Sequence, residues 1–261
     1  MTTAIADLHI HTTVSDGMLT IGALPEAAKE AGLSWVAVTD HDRIHPELSS
    51  PITEREGIKI IRGIELRVET EKQRLDLLGY GVEPTPELTT ELDRLQRDRK
   101  NRAQKIIDCV ESDVDVDLKL DPHEGIGRPH IARAIDASDA PYTYQEAFDN
   151  LIGRDCPCYV ERKITSVDEG IELLQEACPI VGLAHPFRYD DIEAALSYTY
   201  RLDAVERNYP YGREVDIEKI DCISERNDLL ATGGSDAHKT ELGEAGLSQS
   251  LFEEFRAQLK S

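Results

Sequence analysis

Asp7, His9 and His11 alternate with Leu8 and Ile10 near the start of the chain, and Asp16-Gly17 follows closely. In a strand every second side chain shares a face, so Asp7 and the two imidazoles point one way while Leu8 and Ile10 pack on the other. Two imidazoles held on one rigid element are half of a divalent-metal site. Further His and carboxylate residues fall at or just beyond other runs with strand character: His41 in Asp40-His41-Asp42, Glu65 after Gly63-Ile64, His185 before Pro186, and Asp236 with His238 after Gly233-Gly234-Ser235. His130 joins them in Arg128-Pro129-His130, whereas His45 and His123 lie in loops and read as surface histidines. This donor set, free of thiolate, suits Zn, Mn or Fe rather than Ca or a sulfur site. Metals held close by a bridging carboxylate lower the pKa of a shared water and yield hydroxide near neutral pH. The reaction class that follows is metal-assisted hydrolysis.

The elements that must position these groups alternate between two periods. Residues 4–11, 35–39, 58–64 and 75–82 read as strands, the third ending at Glu65, and 21–31 reads as a helix closed by Gly32. Residues 43–56 are short and polar. From residue 87 the pattern becomes helical, with a long helix carrying Arg94, Arg97, Arg99, Lys100, Arg102 and Lys105, and further helices around 129–137, 144–152 and 166–177. Strands return at 180–184, 202–206 and 229–232, separated by helices at 191–200 and 213–227 and followed by one at 250–259. The expected architecture is α/β with a mostly parallel sheet in residues 1–86 and 161–261, interrupted by a helical insertion at 87–160. In α/β barrels the catalytic groups gather at the C-terminal ends of the strands, where these ligand types fall.

Composition narrows the partners. The 261 residues carry 51 acids against 29 bases, a net charge of −22, with 19 Arg against 10 Lys. Such a charge opposes stable binding to duplex nucleic acid or an anionic membrane, while a small phosphorylated substrate met by a local basic patch remains compatible. An acidic, lysine-poor surface also suits work at high salt, where self-repulsion is screened. The basic stretch of the long helix is either a solvated face with ion pairs to residues such as Glu91 and Asp98, or a lid that receives phosphate. Cys109, Cys156, Cys158, Cys178 and Cys222 are odd in number and lack Cys-x-x-Cys spacing. They read as reduced thiols, consistent with a cytoplasmic protein. No basic segment precedes an apolar run at the N-terminus, and no stretch approaches the ~18 apolar residues of a membrane span. Oligomeric state leaves no mark in the sequence.

Taken together, Asp7-x-His9-x-His11, Thr39-Asp40-His41-Asp42, Gly63-Ile64-Glu65, Arg128-Pro129-His130, Ala184-His185-Pro186 and Gly234-Ser235-Asp236-x-His238 resemble, in order, the motifs of the PHP (polymerase and histidinol phosphatase) superfamily. The likeness spans residues 7–238 and is strongest, at Gly127-Arg128-Pro129-His130-Ile131-Ala132 and Ala184-His185-Pro186-Phe187-Arg188-Tyr189, to the stand-alone branch with a helical insertion. That branch includes 3′,5′-nucleotide bisphosphate phosphatases and 5′-to-3′ exonucleases of short RNA. The resemblance implies a distorted (β/α)7 barrel with up to three divalent metals. Carried over by motif, His9, His11, Glu65 and Asp236 would hold the first metal. Glu65 would bridge to a second on His130 and His185, and Asp16, His41 and His238 would hold a third.

The implied activity is metal-dependent hydrolysis of phosphate esters of small nucleotides through a metal-bound hydroxide. Asp236 or His238 would manage the proton, and Asp7, Asp40 and Asp42 would orient imidazoles. Arg128 and Arg188 adjoin ligand positions and, with Arg102, would meet substrate phosphate, unless each pairs with one of the many acids. Alternatives are a histidinol-phosphate phosphatase and a non-catalytic metal-binding regulatory module. Two features depart from the family pattern: Pro46 and Pro51 break the helix expected between the second and third strands, and Glu206 puts a charge at an end of a strand that is usually more apolar.

Overall fold

The computed structural model describes residues 4–259, and the chain divides into two compact units, Met1–Thr90 with Ile164–Ser261 and Glu91–Lys163. In chain order the elements are β1 (Ala6–Ile10), α1 (Leu24–Glu30), β2 (Trp35–Val38), β3 (Ile52–Arg55), β4 (Ile58–Glu69), β5 (Arg74–Tyr80), α2 (Pro86–Val114), α3 (Arg128–Asp136) and α4 (Tyr144–Ala147). There follow β6 (Thr165–Ser166), α5 (Val167–Ala177), β7 (Ile180–Leu183), α6 (Ile192–Leu196), β8 (Ala204–Asn208), α7 (Ile217–Asn227), β9 (Leu230–Gly233) and α8 (Gln249–Leu259).

Seven strands of the first unit form one path, β1-β2-β4-β5-β7-β8-β9. Bonds from His11 N to Ala237 O (3.0 Å) and from Ala237 N to His9 O (3.3 Å) bring its two ends together into a nearly closed barrel. Adjacent strands run parallel except at β5, which is antiparallel to both β4 and β7. A turn of a few residues separates β4 from β5, so β5 can only return antiparallel; the parallel alternative needs a crossover of about a dozen residues. β3, in the stretch that reads as short and polar, is a hairpin partner of β4. Its connecting residues Glu56 and Gly57 both have positive φ (50° and 84°), the backbone that a two-residue hairpin turn demands.

Strand β1 departs from regular alternation. Its pairing with β2 shifts register between Asp7 and Ile10. Accordingly Ala6 and Leu8 pack in one core cluster, with Trp35, Ala37, Tyr80 and the α8 residues Phe252 and Phe255, whereas Ile10 packs in another with Leu24, Ala28, Val36 and Val38. A bulge moves every later side chain to the opposite face. Asp7 therefore does not share the face of His9 and His11, which corrects the alternation expected for this stretch.

The second unit has its own core, in which Ala103, Ile106, Ile107 and Val110 of α2 meet Ile131, Ala132 and Ile135 of α3 and Leu151 and Ile152. Cys109 and Cys158 form a disulfide there, which corrects the expectation of five reduced thiols; Cys156, Cys178 and Cys222 are free. Forty-nine residues separate the pair, so no local spacing announces it. Among the described residues no helix is long and apolar enough to cross a membrane.

Candidate metal centre

Glu65 is the hub of the barrel's polar cluster. It lies within β4 rather than at its end, because β4 continues to Glu69 in pairing with β5. Its carboxylate, buried, faces four imidazoles: Oε1 is 3.5 Å from His9 Nε2 and 3.1 Å from His185 Nε2, and Oε2 is 3.3 Å from His11 Nε2 and 2.6 Å from His41 Nδ1. Asp236 Oδ1 lies 3.5 Å from His9 Nε2 and 3.1 Å from His11 Nε2, and Asp16 Oδ1 lies 3.4 Å from His238 Nε2 and 3.9 Å from His41 Nε2. The donor atoms gather into three groups, each within 4.8 Å: His11, Asp16, His41 and His238; His9, His11 and Asp236; and Glu65, Asp76 and His185. The sequence expectation thus meets its neighbours with two adjustments. His11 stands between two groups, and Asp76, which sequence reading missed, stands beside His185 at 3.6 Å while its carboxylate grips Arg67 at 2.7 and 2.8 Å.

His130 belongs to the helical unit, where its Nδ1 accepts from the Gly127 amide at 3.2 Å and its ring packs edge-on to His123 at 5.3 Å. The three barrel groups form without it. His45 is buried rather than on the surface, and its Nδ1 accepts from the Glu47 amide at 3.2 Å. Arg188 donates to Asp236 Oδ2 and to Tyr209 Oη, both at 2.9 Å, so it does pair with an acid, one of the cluster itself. Arg128 and Arg102 lie in the helical unit, bonded to the carbonyls of Ile152 (3.2 Å) and Val160 (2.7 Å).

Asp7 and Asp40, expected to orient imidazoles, hold loops. Asp7 accepts from the amides of His9 (3.3 Å), Ser235 (3.0 Å) and Gly243 (2.8 Å) and from the Ser235 hydroxyl. Gly234 permits this, since a Cβ there would stand 2.4 Å from His9 N. Asp40 accepts from Thr12 N (2.8 Å), Thr12 Oγ1 (2.7 Å) and Ser15 Oγ (2.6 Å), fixing the turn that delivers Asp16. Gly17 packs so tightly on that turn that a Cβ would stand 2.2 Å from His11 O. Asp42 accepts from Arg67 N at 3.0 Å. The carboxylate that does orient a ring is Glu206: Oε1 accepts from His9 Nδ1 at 3.0 Å and Oε2 from His185 N at 2.7 Å. The second bond steadies His185 in an unusual backbone conformation, φ 29°; Asp236, at φ 49°, is the other ligand-type residue held there. Such outliers persist only where surroundings over-determine them.

The donor set fits divalent cations. His9 Nε2 and His11 Nε2 are buried and make no hydrogen bond, although carboxylate oxygens stand 3.1–3.5 Å away. Burial opposes protonation of His11, but the Asp236 and Glu65 carboxylates overcome it and raise its pKa to about 10. His9 is raised as well, by Glu206, Asp236 and Glu65 acting against burial. Burial would in turn raise Glu65, yet the charges of His41 and His9 and its contacts with His11 and His185 hold it well below the usual carboxylate range. A group whose pKa is raised on folding stabilises the fold fully below its unfolded pKa, and that stability is lost as pH climbs through the folded value. The Tm of chelator-treated protein should therefore fall between about pH 6.5 and 10, the ordinary and raised values for His11. Metal-loaded protein, whose imidazoles bind as neutral ligands, should lack that fall. Equal pH dependence of the two melting curves would contradict this account.

Comparison with known proteins agrees with the geometry. The PHP domain model matches residues 7–154. The chain is 26% identical over 253 residues to the 5′-3′ exoribonuclease Rnm of Escherichia coli, covering 90% of this chain and 85% of that one. It is 26% identical over 259 residues to the 3′,5′-nucleoside bisphosphate phosphatase of Chromobacterium violaceum, covering 92% and 88%. The crystal structure of a candidate metal-dependent phosphoesterase from Bifidobacterium adolescentis superposes with a TM-score of 0.81 at 26% identity, over 99% of this chain and 98% of that chain. With its barrel, its strand-end imidazoles and this match over more than half its length, the chain belongs to the PHP domain family.

Proposed function

We propose that this protein is a metal-dependent phosphoesterase acting on small nucleotides, namely 3′,5′-bisphosphonucleotides or short 5′-phosphorylated oligonucleotides. The observation that carries the reading is the Glu65 carboxylate within 3.5 Å of four imidazole nitrogens, flanked by Asp16 and Asp236. It is a donor set for up to three cations of Zn, Mn or Fe. His9, His11, Glu65 and Asp236 would hold one; Glu65, Asp76 and His185 a second; Asp16, His41 and His238 a third. Bound cations supply Lewis acidity toward phosphoryl oxygens and a nucleophile from water at neutral pH. A cytoplasmic setting goes with nucleotide substrates.

The chain's own residues do the rest. Arg188, half-exposed, keeps guanidinium N–H groups for phosphate while Nη1 holds Asp236 and Tyr209. Tyr209 donates to Asp236 Oδ2 at 2.8 Å and so fixes the carboxylate against two imidazoles. His238, whose Nδ1 donates to the Asp236 carbonyl at 2.9 Å, is the most exposed imidazole of the cluster, and in this reading it or Asp236 would carry the proton.

The test is phosphate release by metal-loaded protein from adenosine 3′,5′-bisphosphate, a 5′-phosphorylated trinucleotide, histidinol phosphate and an aryl phosphate. The two nucleotides should be preferred at least tenfold in kcat/KM, and Arg188→Ala should lower turnover of the nucleotides more than of the aryl phosphate. Preference for histidinol phosphate, or no release from any of them, would sink the proposal.

A further inference from the structure

Strand β4 runs past Glu65, and its extension carries a cation. Leu66 and Val68 are wholly buried in the core, so Glu65 and Arg67, two residues apart, share the opposite face. The pairing of β4 with β5 is continuous from Gly63 to Glu69 and sets Arg67 directly across from Asp76. Arg67 donates through Nε to Asp76 Oδ1 at 2.7 Å and through Nη2 to Asp76 Oδ2 at 2.8 Å. The outer edge of the guanidinium is not used: among the described residues Nη1 has no hydrogen-bond partner, and 38% of the side chain is exposed. A guanidinium held this way is rigid and still offers N–H groups to an anion.

Its partner is no ordinary surface acid. Asp76 is buried, and its Oδ2 lies 3.6 Å from His185 Nε2, in the donor group that Glu65 completes. The charge of Asp76, with smaller contributions from Glu65 and Asp42, raises the pKa of Arg67 against the effect of burial, which ties the guanidinium to this side of the cluster. By contrast, the Arg207–Asp221 fork, 2.6 and 2.9 Å long, joins two partly exposed side chains that belong to none of the three donor groups. Arg188 repeats the arrangement of Arg67, since it too holds a ligand-type carboxylate, Asp236. A cation on Asp76 would share that carboxylate's charge, and Arg67 would then keep more of its own attraction for an arriving anion.

We propose that Arg67 is a substrate-binding residue, which receives a phosphate oxygen on the Glu65–Asp76–His185 side of the cluster while Asp76 holds it in place. The class of anion rests on the phosphoesterase reading, whereas binding itself is measured without turnover. Metal-loaded protein is titrated calorimetrically with inorganic phosphate, and the metal content of the same samples is measured by elemental analysis. Arg67→Gln should weaken phosphate binding by about tenfold or more at unchanged metal content, the loss expected for a charge-assisted hydrogen bond. Arg67→Lys, which keeps charge but loses the fork, should fall between, and Arg207→Gln should match wild type.

Melting curves identify a variant that fails to fold; if Arg67→Gln is one, the loss in Arg67→Lys decides. In turnover of adenosine 3′,5′-bisphosphate, the same substitutions should raise KM in the same order. Absent phosphate binding by wild type, or wild-type affinity in Arg67→Gln, would overturn the contact. A loss of phosphate affinity that excess metal restores would also overturn it, because Arg67 would then only support Asp76. Protein that binds phosphate through Arg67 but cleaves no ester keeps the contact and loses the phosphoesterase reading. Protein that cleaves esters with KM and phosphate affinity unmoved in Arg67→Gln does the reverse.

Discussion

Glu65→Gln should lower turnover by about 10³-fold or more and strip the protein of part of its metal. The substitution is nearly isosteric, so backbone and volume are kept, and what changes is charge and donor type. In place of a carboxylate that reaches His9, His11, His41 and His185 within 3.5 Å, the variant has one carbonyl oxygen and one NH2 group that cannot accept. The residues that would hold cations there would lose the anionic donor at the centre of the cluster. A Lewis-acid contribution amounts to several kcal/mol, and each ~1.4 kcal/mol is tenfold in rate, which sets the size of the loss.

The metal-free protein should suffer too. The raised pKa values of His9 and His11 depend partly on Glu65, and removing one member of a buried charge cluster costs about 3–5 kcal/mol. Elemental analysis beside kinetics at saturating metal separates the two effects. A variant with full metal content and a rate within tenfold of wild type would remove Glu65 from the centre.

What could be read from the sequence follows from which forces are local. The ligand-type residues were legible because each sits beside a short apolar run, and that juxtaposition survives without knowledge of the fold. His9, His11, His41, Glu65, His185, Asp236 and His238 do come together in the barrel unit. The role of Asp7 was not legible, because a bulge inside a five-residue strand reverses its face and leaves no mark in the hydrophobic pattern. Asp76 was invisible for a different reason: it lies in the apolar run of β5, and only the antiparallel turn of that strand carries it to His185. The Cys109–Cys158 bond likewise depends on a contact between segments far apart in sequence.

Glu206 reads in the sequence as a misplaced charge, and its geometry makes Glu206→Gln a large loss. The carboxylate is wholly buried, and both oxygens accept: one from His9 Nδ1, the other from the His185 amide. In the neutral ring that would bind a metal, a proton on Nδ1 shared with Glu206 leaves His9 Nε2 open and aimed toward Glu65 and Asp236. Glu206→Gln keeps the volume but offers only one acceptor. If its oxygen stays on the His185 amide, its NH2 faces His9 Nδ1 and drives the proton to Nε2, where it blocks the ligand position. Loss of such an orienting partner typically costs 10–100-fold in metal affinity or activity. The expected result is therefore weaker metal binding in an equilibrium titration with competing chelator, with kcat partly restored by excess metal. The metal-free melting curve should move less than in Glu65→Gln, because the amide still bonds both neighbours. Metal affinity within twofold of wild type would show that Glu206 merely fills space beneath His9.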